Sequence, residues 1–173
     1  MTMAAGLRKF ALTAHVTSSV GSLGAVATFL ALAIAGLISA DAQRMRSAYL
    51  AMELTAQFVI VPLVLASLLT GLVQSLGTSW GLFRHYWVLT KFPLSVVVAV
   101  VLLLQMQPIS YMAGISAHTM LSGADFLGLR SSLVVHAGGG LLVLLVAATL
   151  SVYKPRGMTR YGWRKQQEQP LPH

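Results

Sequence analysis

Four ionisable side chains stand inside apolar stretches of this sequence, where a charged group is costly. They are His15, Glu53, Lys91 and His136, and Gln57 follows Glu53 by one helical turn on the same face. Ionisable groups at depth in a bilayer commonly mark ligand sites or proton paths. An imidazole can bind a metal or carry a proton, and Glu53 with His136 could form an ion pair or a proton site.

The composition indicates a membrane protein. The 173 residues are 56% hydrophobic and only 9% charged, whereas soluble domains carry roughly 25% charged residues. Cysteine is absent, which excludes disulfides, thiolate nucleophiles and cysteine-ligated clusters. The net charge is +8, and the basic residues stand in short loops and a tail beside apolar segments, a pattern typical of membrane proteins. We therefore expect the lipid bilayer as a partner, and no nucleic acid.

Four apolar stretches are long enough to span a bilayer, which takes roughly 20 helical residues. They cover about 10–38, 49–76, 86–106 and 131–153. The first is far longer than the apolar region of a cleaved signal peptide. These stretches predict an all-α fold, a four-transmembrane-helix bundle forming one domain over 1–165, followed by a disordered tail over 166–173. The longest loop is expected over Gln107–Arg130.

Basic residues predict how the chain is oriented. Eight of them fall on the side of the N-terminus, the second loop and the tail, and three on the other. The eight are Arg8, Lys9, Arg84, Lys154, Arg156, Arg160, Arg164 and Lys165, and the three are Arg44, Arg46 and Arg130. Because cytoplasmic loops carry the excess of Lys and Arg, both termini are predicted to be cytoplasmic.

Depth along each span sorts the ionisable residues into two levels. His15 and Lys91 each lie about five residues inside the cytoplasmic boundary, roughly 7–8 Å at 1.5 Å per residue. Glu53 and His136 share the outer level. His15 and His136 are therefore about 20 Å apart and cannot bind one haem iron together. His118, in the third loop, is a weak metal candidate because no second ligand stands at a suitable spacing.

Small residues and prolines predict how the helices pack. Gly21 and Gly24 in the first span and the run Gly138–Gly140 in the fourth are expected to let backbones approach closely. The alternative is that these glycines leave a slot for a cofactor. Pro62 and Pro93 are expected to kink the second and third spans. The eight methionines are scattered and form no Met-x-x-Met cluster.

Several short segments carry a family resemblance over nearly the whole chain. They are Leu7–Arg8–Lys9, His15 with Ser19–Val20–Gly21, Glu53–Leu54–Thr55, Pro62 with Leu69–Thr70–Gly71–Leu72, Trp80–Gly81–Leu82, His85 to Lys91, and Tyr153 to Gly157. The chain resembles a family of integral membrane proteins without an established activity that is common in actinobacteria and other bacteria. The resemblance implies a multi-pass protein of the bacterial inner membrane.

A more distant resemblance concerns His15 and Lys91. A first-span His, a Pro then Thr70–Gly71–Leu72 in the second span, and Trp87–Val88–Leu89–Thr90–Lys91 opening the third are similar to HemJ-type protoporphyrinogen oxidases and copper-resistance D membrane domains. In HemJ proteins the matching His and Lys are functional and haem b is linked to that His. The HemJ stretch that follows this His is missing here, where the chain reads Ser18 to Leu30.

Three functions follow as hypotheses. The first is a membrane subunit or transporter-like element, alone, as a homo-oligomer or with a partner subunit. The second is a membrane redox protein that binds haem b through His15, with Lys91 holding a propionate or donating a proton. The third is copper handling. The sequence contains no GxGxxG, P-loop, HExxH or GxSxG motif, so nothing in it identifies an enzyme.

Overall fold

The structure, a computed structural model, describes residues 3–77, 85–118, 126–153 and 157–167. In this part of the chain all regular elements are helical, which confirms the all-α prediction. The helices are α1 (Ala5–Ile38), α2 (Ala42–Gly77), α3 (Tyr86–His118), α4 (Leu127–Tyr153) and α5 (Arg160–Gln167). The first four are long and apolar enough to cross a membrane.

The third helix is longer than the sequence predicted. It runs to His118 and includes Pro108, so the expected loop over Gln107–Arg130 is wrong for most of its length. The helix continues because Ile109, Met112 and Ala113 form one face that is at most 3% exposed. Burial at this i, i+3, i+4 spacing offsets the one backbone hydrogen bond that a proline removes.

The four long helices pack in a cycle. α1 packs against α2 and α4, and α3 packs against the same two helices, so α1 and α3 face each other across the centre of the bundle. The core includes Phe29, Tyr49, Met52, Met112 and Leu133. Three of the methionines that look scattered in sequence, Met45, Met52 and Met112, thus meet in one buried cluster.

A π-helical turn interrupts α2 at Ala56–Ile60, directly before Pro62. Proline has no N–H to donate, and its ring crowds the carbonyl four residues earlier. A wider turn at this point relieves that contact, while the kink predicted for Pro62 stays a prediction.

The glycines of α1 and α4 differ in what surrounds them. A Cβ on Gly21 would lie 3.2 Å from Leu63 Cδ1, so this close approach of α1 to α2 is as predicted. A Cβ on Gly24 or on any residue of Gly138–Gly140 would meet nothing within 4 Å. The prediction that these glycines mediate close helix packing is therefore wrong, because no described atom of a neighbouring helix lies within 4 Å of such a Cβ.

Arg130 closes the bundle at the end opposite the termini. Its side chain is only 6% exposed. Its Nη2 donates to the carbonyls of Gly36 (2.6 Å) and Leu37 (2.8 Å), and its Nε donates to Tyr49 Oη at 3.1 Å. The last carbonyls of a helix have no partner within the helix, so the guanidinium caps α1 and ties it to α2 and α4. The prediction that Arg130 ends the third loop is therefore wrong, since this residue belongs to α4.

The chain after α4 docks against the start of α3. The Tyr86 N–H donates to the Gly157 carbonyl at 3.4 Å, next to a single β-bridge between His85 and Met158. α5 follows and exposes Tyr161 and Trp163, and aromatic side chains of this kind are enriched at membrane interfaces. The helix continues to Gln167 and so includes the first two residues of the tail that was expected to be disordered. The rest of that tail, 168–173, lies outside the described residues.

Candidate functional site

His15 is held in one orientation by α2. Its Nδ1 lies 3.0 Å from the Ser67 carbonyl oxygen and 3.2 Å from Thr70 Oγ1. A carbonyl oxygen can only accept, so Nδ1 carries the proton and donates it there. In the neutral ring the other nitrogen, Nε2, then keeps its lone pair and faces away from α2.

Lys91 reaches His15 across the centre of the bundle. Its Nζ lies 3.5 Å from His15 Nε2 and donates to Ser151 Oγ at 2.5 Å. Ser151 Oγ in turn donates to the Ala147 carbonyl at 2.8 Å. The depth calculation predicted that His15 and Lys91 share a level, and this contact confirms it. Helices α1, α3 and α4 thus meet at one polar point.

Gly71 makes room for the imidazole. A Cβ at this position would lie 3.0 Å from His15 Cε1, which is tighter than an ordinary van der Waals contact. The imidazole would have to move by a few tenths of an ångström, and because the ring is rigid this movement strains the hydrogen bond of Nδ1.

We therefore expect Gly71→Ala to destabilise the protein. Crowding in a packed interior costs about 1–3 kcal/mol, which exceeds the gain of about 1 kcal/mol from replacing a helical glycine by alanine. Gly24→Ala is the matched control because its Cβ would meet nothing within 4 Å. Thermal unfolding in detergent should separate the two variants by about 2 kcal/mol. Equal melting temperatures would show that Gly71 does not shape the site.

A series of polar contacts between α1 and α2 flanks His15. These contacts were not identified from the sequence. Gln74 Nε2 donates to the Ala11 carbonyl at 2.8 Å, and the Ser19 and Ser67 hydroxyls are 2.7 Å apart. Along α2 these contacts follow residues 67, 70 and 74, and along α1 residues 11, 15 and 19. This spacing, i to i+3 or i+4, places each set on one helix face and could have been found from the sequence.

No carboxylate contacts the site among the described residues. Asp41 caps the start of α2 by accepting from the Gln43 N–H at 2.9 Å. Glu53 precedes Thr70 by seventeen residues on the same helix, about 26 Å at 1.5 Å per residue. The other two acidic residues, Asp125 and Glu168, lie outside the described residues. The described part of the site is therefore rich in hydrogen-bond donors and carries no negative charge.

The site does not fit a haem as it is arranged. The Nδ1 hydrogen bond to a backbone carbonyl is one that metal-bound histidines usually make. However, Nε2, which would have to bind the iron, is in contact with Lys91 Nζ at 3.5 Å, and a porphyrin plane could not lie between them. The described residues also hold no group of three His, Cys, Asp or Glu suited to a metal.

The remaining candidates lie apart from this point and from each other. Glu53 is half-buried on α2, and Gln57 is exposed. His136 is exposed on α4, and its Nδ1 donates to the Ser132 carbonyl at 2.7 Å. Among the described residues neither Glu53 nor His136 makes an ion pair, so the structure does not bring them together. The side chain of His118 lies outside the described residues.

The fold and the site together define a multi-pass membrane protein with a half-buried His–Lys pair between its helices. Comparisons with protein-family models, with curated proteins and with solved structures each found no match. The resemblance to HemJ and copper-resistance D proteins therefore stays a prediction. Some residues that carry the family resemblances or enter the count of basic residues lie outside the described residues. They are Trp80 to Leu82, Arg84 and Lys154 to Arg156.

Proposed function

We propose that this protein is a transporter-like element or membrane subunit that binds an anionic phosphate group at the His15–Lys91 site. The observation that carries the proposal is the position of Lys91 Nζ. It lies within the bundle, bonded to a hydroxyl and an imidazole, and the described residues supply no carboxylate to neutralise it.

Hydrogen-bond counting supports an anionic ligand. An ammonium group has three protons to donate, and the described contacts of Lys91 use two of them, toward Ser151 Oγ and His15 Nε2. The third is free for a ligand. Removing a charge from water is costly unless an opposite charge or several hydrogen bonds compensate. A phosphate oxygen supplies both, and charge-assisted hydrogen bonds are the stronger kind.

The placement of the site suits a ligand that enters at the end of the bundle that carries both termini. Lys91 is five residues after Tyr86, the first residue of α3, about 8 Å along the helix axis. With the orientation predicted from the basic residues this end is cytoplasmic. The phosphate could belong to a lipid headgroup or to a small soluble phosphate, since both present the same oxygens.

Calorimetric titration of the full chain in phosphatidylcholine nanodiscs tests the proposal. The three probes are dodecyl phosphate, inorganic phosphate and dodecanol. Saturable binding of dodecyl phosphate alone would support a lipid headgroup, and binding of inorganic phosphate as well would support a soluble ligand. If dodecyl phosphate binds no better than dodecanol, the proposal is wrong.

The haem hypothesis uses the same two residues, and the same preparation tests it. If the purified protein shows a Soret band and His15→Ala abolishes it, the site binds haem and the proposal of anion binding is wrong. The arrangement of Lys91 against His15 Nε2 leads us to expect no such band.

A further inference from the structure

A second site lies between α3 and α4 and is separate from the His15–Lys91 pair. It is a cavity of about 280 Å³ whose walls come from α3 and α4 and whose floor comes from α1 and α2. The lining is almost entirely apolar, for example Phe29, Val64, Val101 and Leu133. On α1 the nearest lining residue to His15 is Val26, eleven positions later and about 16 Å away along the helix.

The cavity lies near the middle of the bundle. On α3 its lining runs from Val97 to Ile109. The first is eleven residues after the helix begins at Tyr86, and the second is nine before it ends at His118. At 1.5 Å per residue the cavity is more than about 13 Å from either end of α3. It therefore lies within the hydrocarbon layer rather than at the headgroups.

Two polar groups line this apolar space. The Nε2 of Gln105 is buried and has no hydrogen-bond partner in the part of the chain that the structure describes. His136 also lines the cavity, and because its Nδ1 donates to Ser132, its Nε2 is left as an acceptor in the neutral ring. An unpaired buried amide is costly, so Gln105 indicates a ligand that brings an acceptor to it.

Three common occupants meet these conditions poorly. A single water could accept from Gln105 but would leave most of a mainly apolar volume of about 280 Å³ without contacts. A lipid acyl chain would fill the volume but has no acceptor for Gln105. The ester carbonyl oxygens of phospholipids can accept a hydrogen bond, but they stay at the membrane interface. They are therefore too far from Gln105, which lies near the middle of α3.

We propose that the cavity binds a neutral, membrane-dissolved carbonyl compound of the quinone class. The apolar ring contacts the valine and leucine walls, and one ring carbonyl accepts from Gln105 Nε2. A volume of about 280 Å³ is close to the lower bound of about 300 Å³ for small-molecule pockets, which suits a single ring. The molecule reaches the site laterally from the bilayer, since Val97 of α3 and Val135 of α4 both line the cavity and are exposed.

Glycines of α4 keep the cavity open and provide a sharp test. Gly140 follows Leu133 and Ala137 on the buried face of the helix, yet its Cβ would meet nothing within 4 Å. A larger residue there would project into the cavity. Gly138 also has open space around its Cβ but does not line the cavity. Gly140→Leu should therefore fill the site, and Gly138→Leu is its matched control.

The experiment is a titration of the full chain in nanodiscs with ubiquinone-1, and with hexylbenzene as a ring compound that lacks carbonyls. We expect one ubiquinone-1 per chain. Gln105→Leu should weaken its binding about fivefold, which corresponds to one lost hydrogen bond. Gly140→Leu should weaken it at least tenfold, and Gly138→Leu should leave it unchanged.

The hydrocarbon probe decides whether the carbonyl matters. We expect hexylbenzene to bind more weakly than ubiquinone-1 and to be insensitive to Gln105→Leu. The proposal is overturned if ubiquinone-1 does not bind or if it binds Gly140→Leu as tightly as the unaltered chain. It is equally overturned if hexylbenzene binds as tightly as ubiquinone-1, because the cavity would then be a groove for acyl chains.

Discussion

Replacing Lys91 by methionine should lower the affinity for dodecyl phosphate about 10- to 100-fold. Methionine keeps an unbranched side chain of similar length and removes the ammonium group. A hydrogen bond to a charged group contributes about 1.5–3 kcal/mol, and about 1.4 kcal/mol corresponds to a factor of ten in affinity. The effect should be large because no other described cation contacts this point of the bundle.

Lys9→Met is the control for this substitution. Lys9 is exposed at the same end of the bundle, so the variant makes the same change in net charge without altering the site. We expect its affinity to fall less than twofold, because exposed charges are screened by water and salt. An equal loss in the two variants would mean that the phosphate responds to overall charge, and the proposed site would be wrong.

Arg130→Met should cause the largest loss of stability of any single substitution considered. It leaves the carbonyls of Gly36 and Leu37 and the hydroxyl of Tyr49 without their partner. Each unsatisfied buried polar group costs about 1–3 kcal/mol, and partial access to water at this end reduces the sum. We expect a loss of about 2–4 kcal/mol, measured by unfolding the detergent-solubilised protein.

Two variants control for the loss of charge. Arg46 is exposed on α2, and Arg46→Met should change stability by less than about 0.5 kcal/mol. Arg130→Lys should recover part of the loss, since an ammonium can reach one or two of the three acceptors but lacks the planar fork of arginine. If Arg130→Met unfolds no earlier than Arg46→Met, the guanidinium does not hold the helices together.

The helices themselves were predictable because lipid imposes a simple rule. A chain that crosses a bilayer must satisfy its backbone internally, so long apolar stretches become helices. Their ends were harder to predict. Pro108 suggested the end of the third span, but α3 continues to His118 because Ile109 and Met112 stay buried on one face. Such burial depends on neighbouring helices, which composition does not reveal.

The pairing of His15 with Lys91 was predictable because depth follows from residue count at 1.5 Å per residue. Two partners that orient the pair were not singled out. Ser151 accepts from Lys91, but serine in a membrane helix commonly donates to its own backbone, so its presence gives little sign of a contact between helices. The group of Ser67 that orients His15 is its backbone carbonyl, which no side-chain type marks. Arg130 was misplaced for a related reason, since a charge near a helix end looks like a loop residue until its acceptors are known.

The glycine run of α4 shows the limit of pattern reading. Small residues in a membrane helix permit close packing, but they do not require it. Around Gly138–Gly140 the structure has open space instead, and the cavity there includes Gln105, a residue that no motif marked. Whether a small residue admits a helix or a ligand depends on the separation of neighbouring helices, which is a property of the whole bundle.

The most direct test of the central claim is ¹⁵N NMR of the histidine-labelled chain in nanodiscs, titrated with dodecyl phosphate. The account predicts that His15 is protonated at Nδ1 and that its Nε2 signal moves on addition of the phosphate, while the His136 signals stay fixed. In Lys91→Met the His15 response should disappear. A His15 signal that ignores the phosphate, or that responds equally without Lys91, would contradict a shared His15–Lys91 binding site.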